Sequence, residues 1–350
     1  MRSYSVLEHN RPLVPVETEL PDLTGTQVLV KITRSGVCHT DLHVWEGCYH
    51  LGEGETLQMA DRGIHPPITP GHEITGQIVA AGPDAGEDHV GRVCVVHPWT
   101  GCDNCPTCAR GDENLCLTAS FKGIQQPGGY AEYVIVAHPK FCVDIGDLDP
   151  SQAAVLACSG VTTYGAIRKF GDILNEEPLV IIGAGGLGFM ALSLVSAMGF
   201  KGAIMVDLDD AKLAVAKEAG ALAVVNSSAK DAVAQITELT GGGALAVLDL
   251  VGAEASVNFA LSVVARAAHV VICGLYGGRL SVPLPYFPMR PLHIQGSWVG
   301  NLQDLKDVVA IAQSGALTPV PVTERPLSEA NDALMELRDG KTVGRSILVP

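Results

Sequence analysis

Up to about residue 159 the apolar positions come in short runs: Gln27 to Thr33, Gly76 to Ala81, Arg92 to His97 and Ala131 to Ala137. Turns rich in Gly and Pro separate them. Short β-type runs punctuated in this way predict an irregular, β-barrel-like domain. From about residue 160 the pattern changes. The apolar run Leu179 to Ile182 leads through a glycine turn into an apolar helical stretch ending at Met198, and a second run follows at Ala203 to Val206. Helical patterns at Lys212–Glu218, Lys230–Leu239 and Ser256–Ala265 then alternate with strand patterns at Ala223–Val225, Ala244–Leu250 and His269–Leu275. Alternating helix and strand predicts a doubly wound parallel sheet, and so an α/β chain. Asp304–Ser314 and Glu329–Leu337 read as closing helices.

Composition narrows the class. A chain of 350 residues exceeds what one core usually supports, so two domains are expected. A hydrophobic content of 47% excludes wholesale disorder. A net charge of −15 argues against nucleic-acid or anionic-membrane partners. Arg2, Glu8, His9 and Arg11 break up any signal-peptide core, and no apolar run is long enough to span a bilayer, so a cytoplasmic protein is expected.

Four of the ten cysteines lie in "GCDNCPTCARGDENLC", as Cys102, Cys105, Cys108 and Cys116. Two C-x2-C steps and a fourth thiol close by can surround one ion tetrahedrally, which is how a closed structural zinc site is built. An iron–sulfur site would want its own spacing and a proline after the last cysteine, where this chain has Leu117. Such thiolates require a reducing compartment.

Other metal-type residues are scattered. "GVCHTDLH" holds Cys38, His39, Thr40, Asp41 and His43; "PGHEITG" holds His72 and Glu73; "LACSGVTTYG" holds Cys158 and Thr162. A catalytic zinc takes three protein ligands and keeps one open position. No spacing rule joins these segments, and Cys158, in an apolar run, reads by itself as a core cysteine. Cys48, Cys94, Cys142 and Cys273 read as small hydrophobes, with Cys48 near the surface.

The glycine turn is Gly183-Ala184-Gly185-Gly186-Leu187-Gly188, preceded by a strand and followed by a helix. Gly183 allows the tight turn, Gly185 lets the backbone approach a pyrophosphate, and Gly188 permits close helix–strand packing. Asp207, at the end of the next strand, suits a ribose 2′-OH and repels a 2′-phosphate, which favours NAD over NADP.

These motifs, with "GGYAEYV" and "GSWVGN", resemble the zinc-dependent medium-chain alcohol dehydrogenases from about residue 25 to the C-terminus. The resemblance implies a GroES-like catalytic domain of residues 1–159 and 299–350, a Rossmann domain of residues 160–298, and an active site between them. It implies two zinc ions per chain, a catalytic one on Cys38, His72 and Cys158 and a structural one on the four-cysteine loop. Asp41 and Glu73 match the carboxylates behind the catalytic ligands, and Thr40 and His43 match the proton relay, with His43 exchanging with solvent. Cofactor contacts fall to the glycine turn, Asp207, Lys212, His39, Thr162, Val299 and Arg345. The implied reaction is reversible oxidation of a small alcohol to an aldehyde or ketone, in a homodimer or homotetramer. A polyol, threonine or formaldehyde-type relative and a catalytically silent NAD-binding zinc protein are the alternatives. Trp99 is expected as a wall of the substrate pocket. The 33 residues between Cys38 and His72 exceed the family pattern. They are expected to form a surface excursion at the pocket mouth, as a solvent loop, subunit contact or lid, with His50 and His65 solvated.

Overall fold

The computed structural model describes residues 1–350 and contains two large sheets. In strand Val28–Gly36, Val28, Val30 and Ile32 are buried at every second position, the periodicity of a strand with one face on a core. It pairs antiparallel with Glu73–Ala81 on one side. On the other side it meets Tyr133–Val136 at one end and the C-terminal strand Arg345–Val349 at the other. Val93–Val96, Cys142–Asp144 and Val322–Pro326 complete a seven-stranded sheet. Gly36 lies opposite Glu73 and pairs with Ile347, so the segments holding Cys38, His72, Glu73 and Arg345 converge at one end of this sheet.

The second sheet has six strands, all parallel, in the order Ala223–Asn226, Ala203–Asp207, Leu179–Ile182, Ala244–Asp249, Val264–Ile272, His293–Gly296. All four residues of Leu179–Ile182 are buried, as a parallel strand covered on both faces requires. Chain order reverses between Leu179–Ile182 and Ala244–Asp249, and the crevice beyond the carboxyl ends of such a pair is where dinucleotides bind.

Most element boundaries fall within three residues of those read from the sequence, and one moves by five. The helix expected to reach Ala265 ends at Val263, and the strand begins at Val264 rather than His269. Alanine-rich "VVARAA" favours helix locally. Here pairing of Val264 with Ala244, across a register shift and with Ala267 at φ 60°, overrides that preference.

The long intervening stretch before His72 forms a hairpin, Cys48–Gly52 with Glu55–Gln58. Its tip crosses to the second sheet's domain. Arg279 Nε lies 3.2 Å from Glu53 and its Nη2 2.7 Å from Glu55, and a Cβ on Gly277 would stand 2.3 Å from the His50 carbonyl. The excursion therefore packs its tip on the segment Gly277–Arg279 instead of standing free in solvent. His50 and His65 are both exposed.

Candidate active site

Cys38 caps the helix His39–Glu46, directly after strand Val28–Gly36. His72 immediately precedes the neighbouring strand. Cys158 comes from a π-turn, Leu156–Gly160, set between helices Pro150–Val155 and Val161–Ile167. Such bulges re-aim side chains and recur at functional sites. Ligand atoms of Cys38, His72, Glu73 and Cys158 all lie within 4.8 Å of one another, and all four residues are buried. The two sulfurs are 3.8 Å apart. Zn–S bonds of about 2.3 Å in a tetrahedron put sulfurs about 3.8 Å apart, so the spacing fits that ion. His72 is fully buried; its Nδ1 faces Asp41, while its Nε2 has no hydrogen-bond partner, a cost that metal ligation at that nitrogen would remove.

Asp41 organises this centre. Its carboxylate accepts from the Cys38 N–H at 2.9 Å, the Gly71 N–H at 3.0 Å and the Tyr130 hydroxyl at 3.2 Å, and it stands 3.3 Å from His72 Nδ1. Despite burial, Asp41 raises the pKa of His72. A carboxylate behind a ligating histidine fixes the ring and makes the opposite nitrogen more basic. Sequence reasoning missed Tyr130; its only signal is its place in "GGYAEYV" next to two glycines. Trp99 is also placed differently from expectation. It is 1% exposed, its ring centroid is 5.1 Å from that of His72, and its Nε1 donates to the Ala157 carbonyl at 2.8 Å. Trp99 thus packs against the centre from within the core.

Burial pushes the Glu73 carboxyl up to about 7, against the pull of Arg345. Arg345 Nη2 lies 2.8 Å from Glu73 Oε1, off the hydrogen-bond line. Gly36 makes room for this acid, since a Cβ there would fall 2.0 Å from Glu73 Oε2. On its other side, Arg345 is 3.3 Å from where a Cβ on Gly186 would stand. One fully buried cation thus joins the ligand cluster to the glycine turn.

Thr40 and His43 are three apart on one helix face, and Thr40 Oγ1 is 4.0 Å from Cys38 Sγ. His43 is 7% exposed and its ring is 4.6 Å from Tyr49 of the hairpin. Desolvation, followed by the neighbouring His39, lowers its pKa to about 4. This corrects the expectation of a solvent-exchanging histidine with an ordinary pKa. Glu46 Oε2 lies 3.7 Å from His43 Nδ1 and 3.8 Å from the exposed His50. His39 opens toward the cleft; desolvation, then Arg345 and Lys212, lower its pKa against the pull of Cys38.

The four-cysteine loop is built locally. The Cys105 sulfur accepts from the Cys108 N–H and caps the helical turn Pro106–Ala109. Sulfur–sulfur separations are 4.0 Å for Cys102–Cys108, 3.5 Å for Cys105–Cys108 and 3.8 Å for Cys105–Cys116, again the spacing of tetrahedral zinc. With four thiols engaged, no coordination position stays open.

The glycine turn fits a pyrophosphate. A Cβ on Gly185 would meet nothing within 4 Å, leaving the backbone open to an approaching ligand. Gly183 has φ +106°, and a Cβ on Gly188 would sit 2.0 Å from the Gly183 carbonyl. The helix Gly186–Ala197, with Leu187 in its first turn, aims its N-terminus at that space. Asp207 ends the adjacent strand; its carboxylate accepts from the Ala184 N–H at 2.6 Å and from Leu208 and Asp209, which fixes its orientation beside the turn. Thr162 is buried with an unpartnered hydroxyl on the helix after Cys158. Val299, at φ +39°, has its carbonyl against the same helix at Gly165. Lys212 is half-buried on the helix following Asp207.

Known proteins share this arrangement. Residues 24–147 match the alcohol dehydrogenase GroES-like domain family, and residues 186–314 match the zinc-binding dehydrogenase family. An NAD-dependent alcohol dehydrogenase of Sulfurisphaera tokodaii is 38% identical and one of Saccharolobus solfataricus 36% identical, each over 100% of both chains. The crystal structure of the alcohol dehydrogenase from Aeropyrum pernix superposes with TM-score 0.90 at 31% identity, covering 100% of both chains. The chain belongs to the zinc-dependent medium-chain alcohol dehydrogenase family.

Proposed function

We propose that this protein is an NAD-dependent alcohol dehydrogenase that interconverts a small alcohol and its aldehyde or ketone. The observation that carries the reading is Arg345, which touches Glu73 beside the ligand cluster and the Gly186 turn of the dinucleotide crevice. A bound substrate and a bound cofactor would meet at that junction. Cys38, His72 and Cys158 would hold the catalytic zinc, and the four-cysteine loop would hold the structural zinc. When bound, zinc polarises the substrate oxygen and NAD takes up or returns the hydride.

The residues divide the remaining work. Asp41 keeps His72 oriented and basic. Thr40 Oγ1 accepts the substrate's hydroxyl proton as it gives up its own in the direction of His43, which is neutral at its lowered pKa and can take a proton at a ring nitrogen. The turn Gly183–Gly188 cradles the pyrophosphate, with His39 and Arg345 alongside, and Lys212 and Asp207 face the adenosine ribose. Thr162 and Val299 flank the nicotinamide. The unpartnered Nε2 of His72 and the unpartnered hydroxyl of Thr162 favour a ligated metal and a bound cofactor at this site.

The division into residues 1–159 with 299–350 and residues 160–298 places the cleft between the two sheets. Strand His293–Gly296 is an open sheet edge, and Leu284, Tyr286 and Met289 are exposed just before it. An open edge with apolar neighbours supports pairing with a second copy, and so a homodimer or a tetramer built from dimers. Six ligand thiolates support a reducing, cytoplasmic compartment.

NADH formation across aliphatic, aromatic and polyol alcohols tests the reading, with NADP in a parallel series. We expect turnover with at least one alcohol class and a clear preference for NAD that weakens in Asp207→Gly. Equal kcat/KM with both cofactors would overturn the role of Asp207; no turnover by protein holding two zincs per chain would overturn the enzyme assignment.

A further inference from the structure

Two side chains of the four-cysteine loop reach a segment far from it in sequence. Asn114 Nδ2 donates to the Trp298 carbonyl at 2.8 Å. Glu113 Oε1 accepts from the Leu302 N–H at 2.5 Å, one of the free donors at the start of helix Leu302–Gln313, and lies 3.5 Å from His97 Nε2. Glu113 is 8% exposed and His97 fully buried, so these contacts are shielded from competing water.

Between the two anchors the backbone is strained and tightly confined. Val299 has φ +39°, a region that β-branched residues avoid. A Cβ on Gly300 would stand 2.9 Å from the Val161 side chain and carbonyl. The segment leaves strand His293–Gly296 at the carboxyl edge of the parallel sheet and packs on helix Val161–Ile167, which carries Thr162. Strained backbone persists only where its surroundings over-determine it. Here the clamp on either side of Val299 comes from the cysteine loop.

We propose that Asn114 and Glu113 are positioning residues for the nicotinamide end of the cofactor, holding Val299 in place through the Trp298 carbonyl and the Leu302 N–H. The structural zinc loop then serves cofactor orientation as well as its own cohesion. This rests on the reading of Val299 as a nicotinamide contact.

ADP-ribose shares every part of NADH except the nicotinamide, so paired titrations of the zinc-loaded protein separate the two ends. Asn114→Ala should keep two zincs and bind ADP-ribose normally, while its Kd for NADH rises about 3- to 10-fold, the loss of one hydrogen bond. Glu113→Gln should shift NADH the same way by less, and it decides the matter if Asn114→Ala loses metal. Val299→Gly, which relaxes the positive φ, should also weaken NADH selectively. If Val299→Gly discriminates between the ligands and neither loop variant does, the tether is wrong while Val299 keeps its role. If none of the three discriminates, the Val299 contact fails and the proposal falls with it. Equal weakening of both ligands in the loop variants would mark a general loss of structure and overturn it as well.

Discussion

The molecule carries two four-ligand clusters that differ in nearly everything except their sulfur spacing. The Cys102–Cys116 cluster draws its ligands from one short loop, in which only Cys116 is buried. The Cys38–His72–Glu73–Cys158 cluster draws them from three distant segments and is buried throughout. The first is filled by four equivalent thiolates. The second mixes two thiols and an imidazole with an acid, Glu73, that faces Arg345 beside them. Four protein ligands suit a permanent metal; three with an open position suit a metal that must also bind substrate. Burial serves the second role, since charges that develop in a dry site are stabilised more strongly.

Removing a ligand from each cluster should break this comparison most sharply. Cys158→Ser or His72→Ala should lower turnover by about 10³-fold or more, the several kcal/mol a Lewis acid supplies, while the protein stays folded with one zinc. Two zincs and full turnover in Cys158→Ser would move the third ligand to Glu73. A smaller loss is expected from Asp41→Asn, about 10- to 100-fold in activity or metal affinity, because the ligands remain and only their orientation suffers. Cys105→Ser should fall on the other side of the comparison. Its main effect should be a lower Tm and one zinc fewer, since a structural site contributes folding energy directly. A Tm equal to the native value after that zinc is gone would contradict the assignment.

The smallest effect concerns the proton exit, which only the open site needs. His43→Gln should slow turnover about tenfold, below the usual range for a general base because solvent can partly substitute. Burial holds the native imidazole at about 4, below its unfolded value of about 6.5. The neutral acceptor is therefore present across pH 6 to 9, and the loss should be uniform over that range and eased by added buffer bases. The same shift has a stability consequence. Folding is disfavoured as pH falls below the unfolded value, because only the unfolded chain takes the proton, until the effect levels off near pH 4. His43→Gln should accordingly narrow the acid-side drop in Tm, and a loss of turnover confined to acid pH would reject this account.

How legible each cluster was in the sequence follows from the same contrast. Contiguous ligands leave their geometry in their spacing, so the four cysteines could be read directly. The glycine turn was legible for a similar reason, as Gly183, Gly185 and Gly188 each meet a local constraint that the structure reproduces. Ligands meeting at Cys38, His72 and Cys158 share no spacing, and only family resemblance joined them. What stayed hidden depends on three-dimensional neighbours: Tyr130 bonding to Asp41, Trp99 turned behind His72, His43 sealed under Tyr49, and Glu113 and Asn114 reaching Trp298 and Leu302. The strand starting at Val264 was masked because local helix preference and long-range pairing disagree there.

The hairpin Cys48–Gln58 is held at its tip by contacts of small energy. Two ion pairs hold it, with Arg279 46% exposed and Glu53 and Glu55 at 74% and 64%. Exposed pairs contribute about 0–1 kcal/mol each, and salt screens them further. The bridge therefore behaves like a door catch rather than a bolt. It biases the hairpin toward this contact by an amount comparable to thermal energy, so the contact opens and re-forms readily.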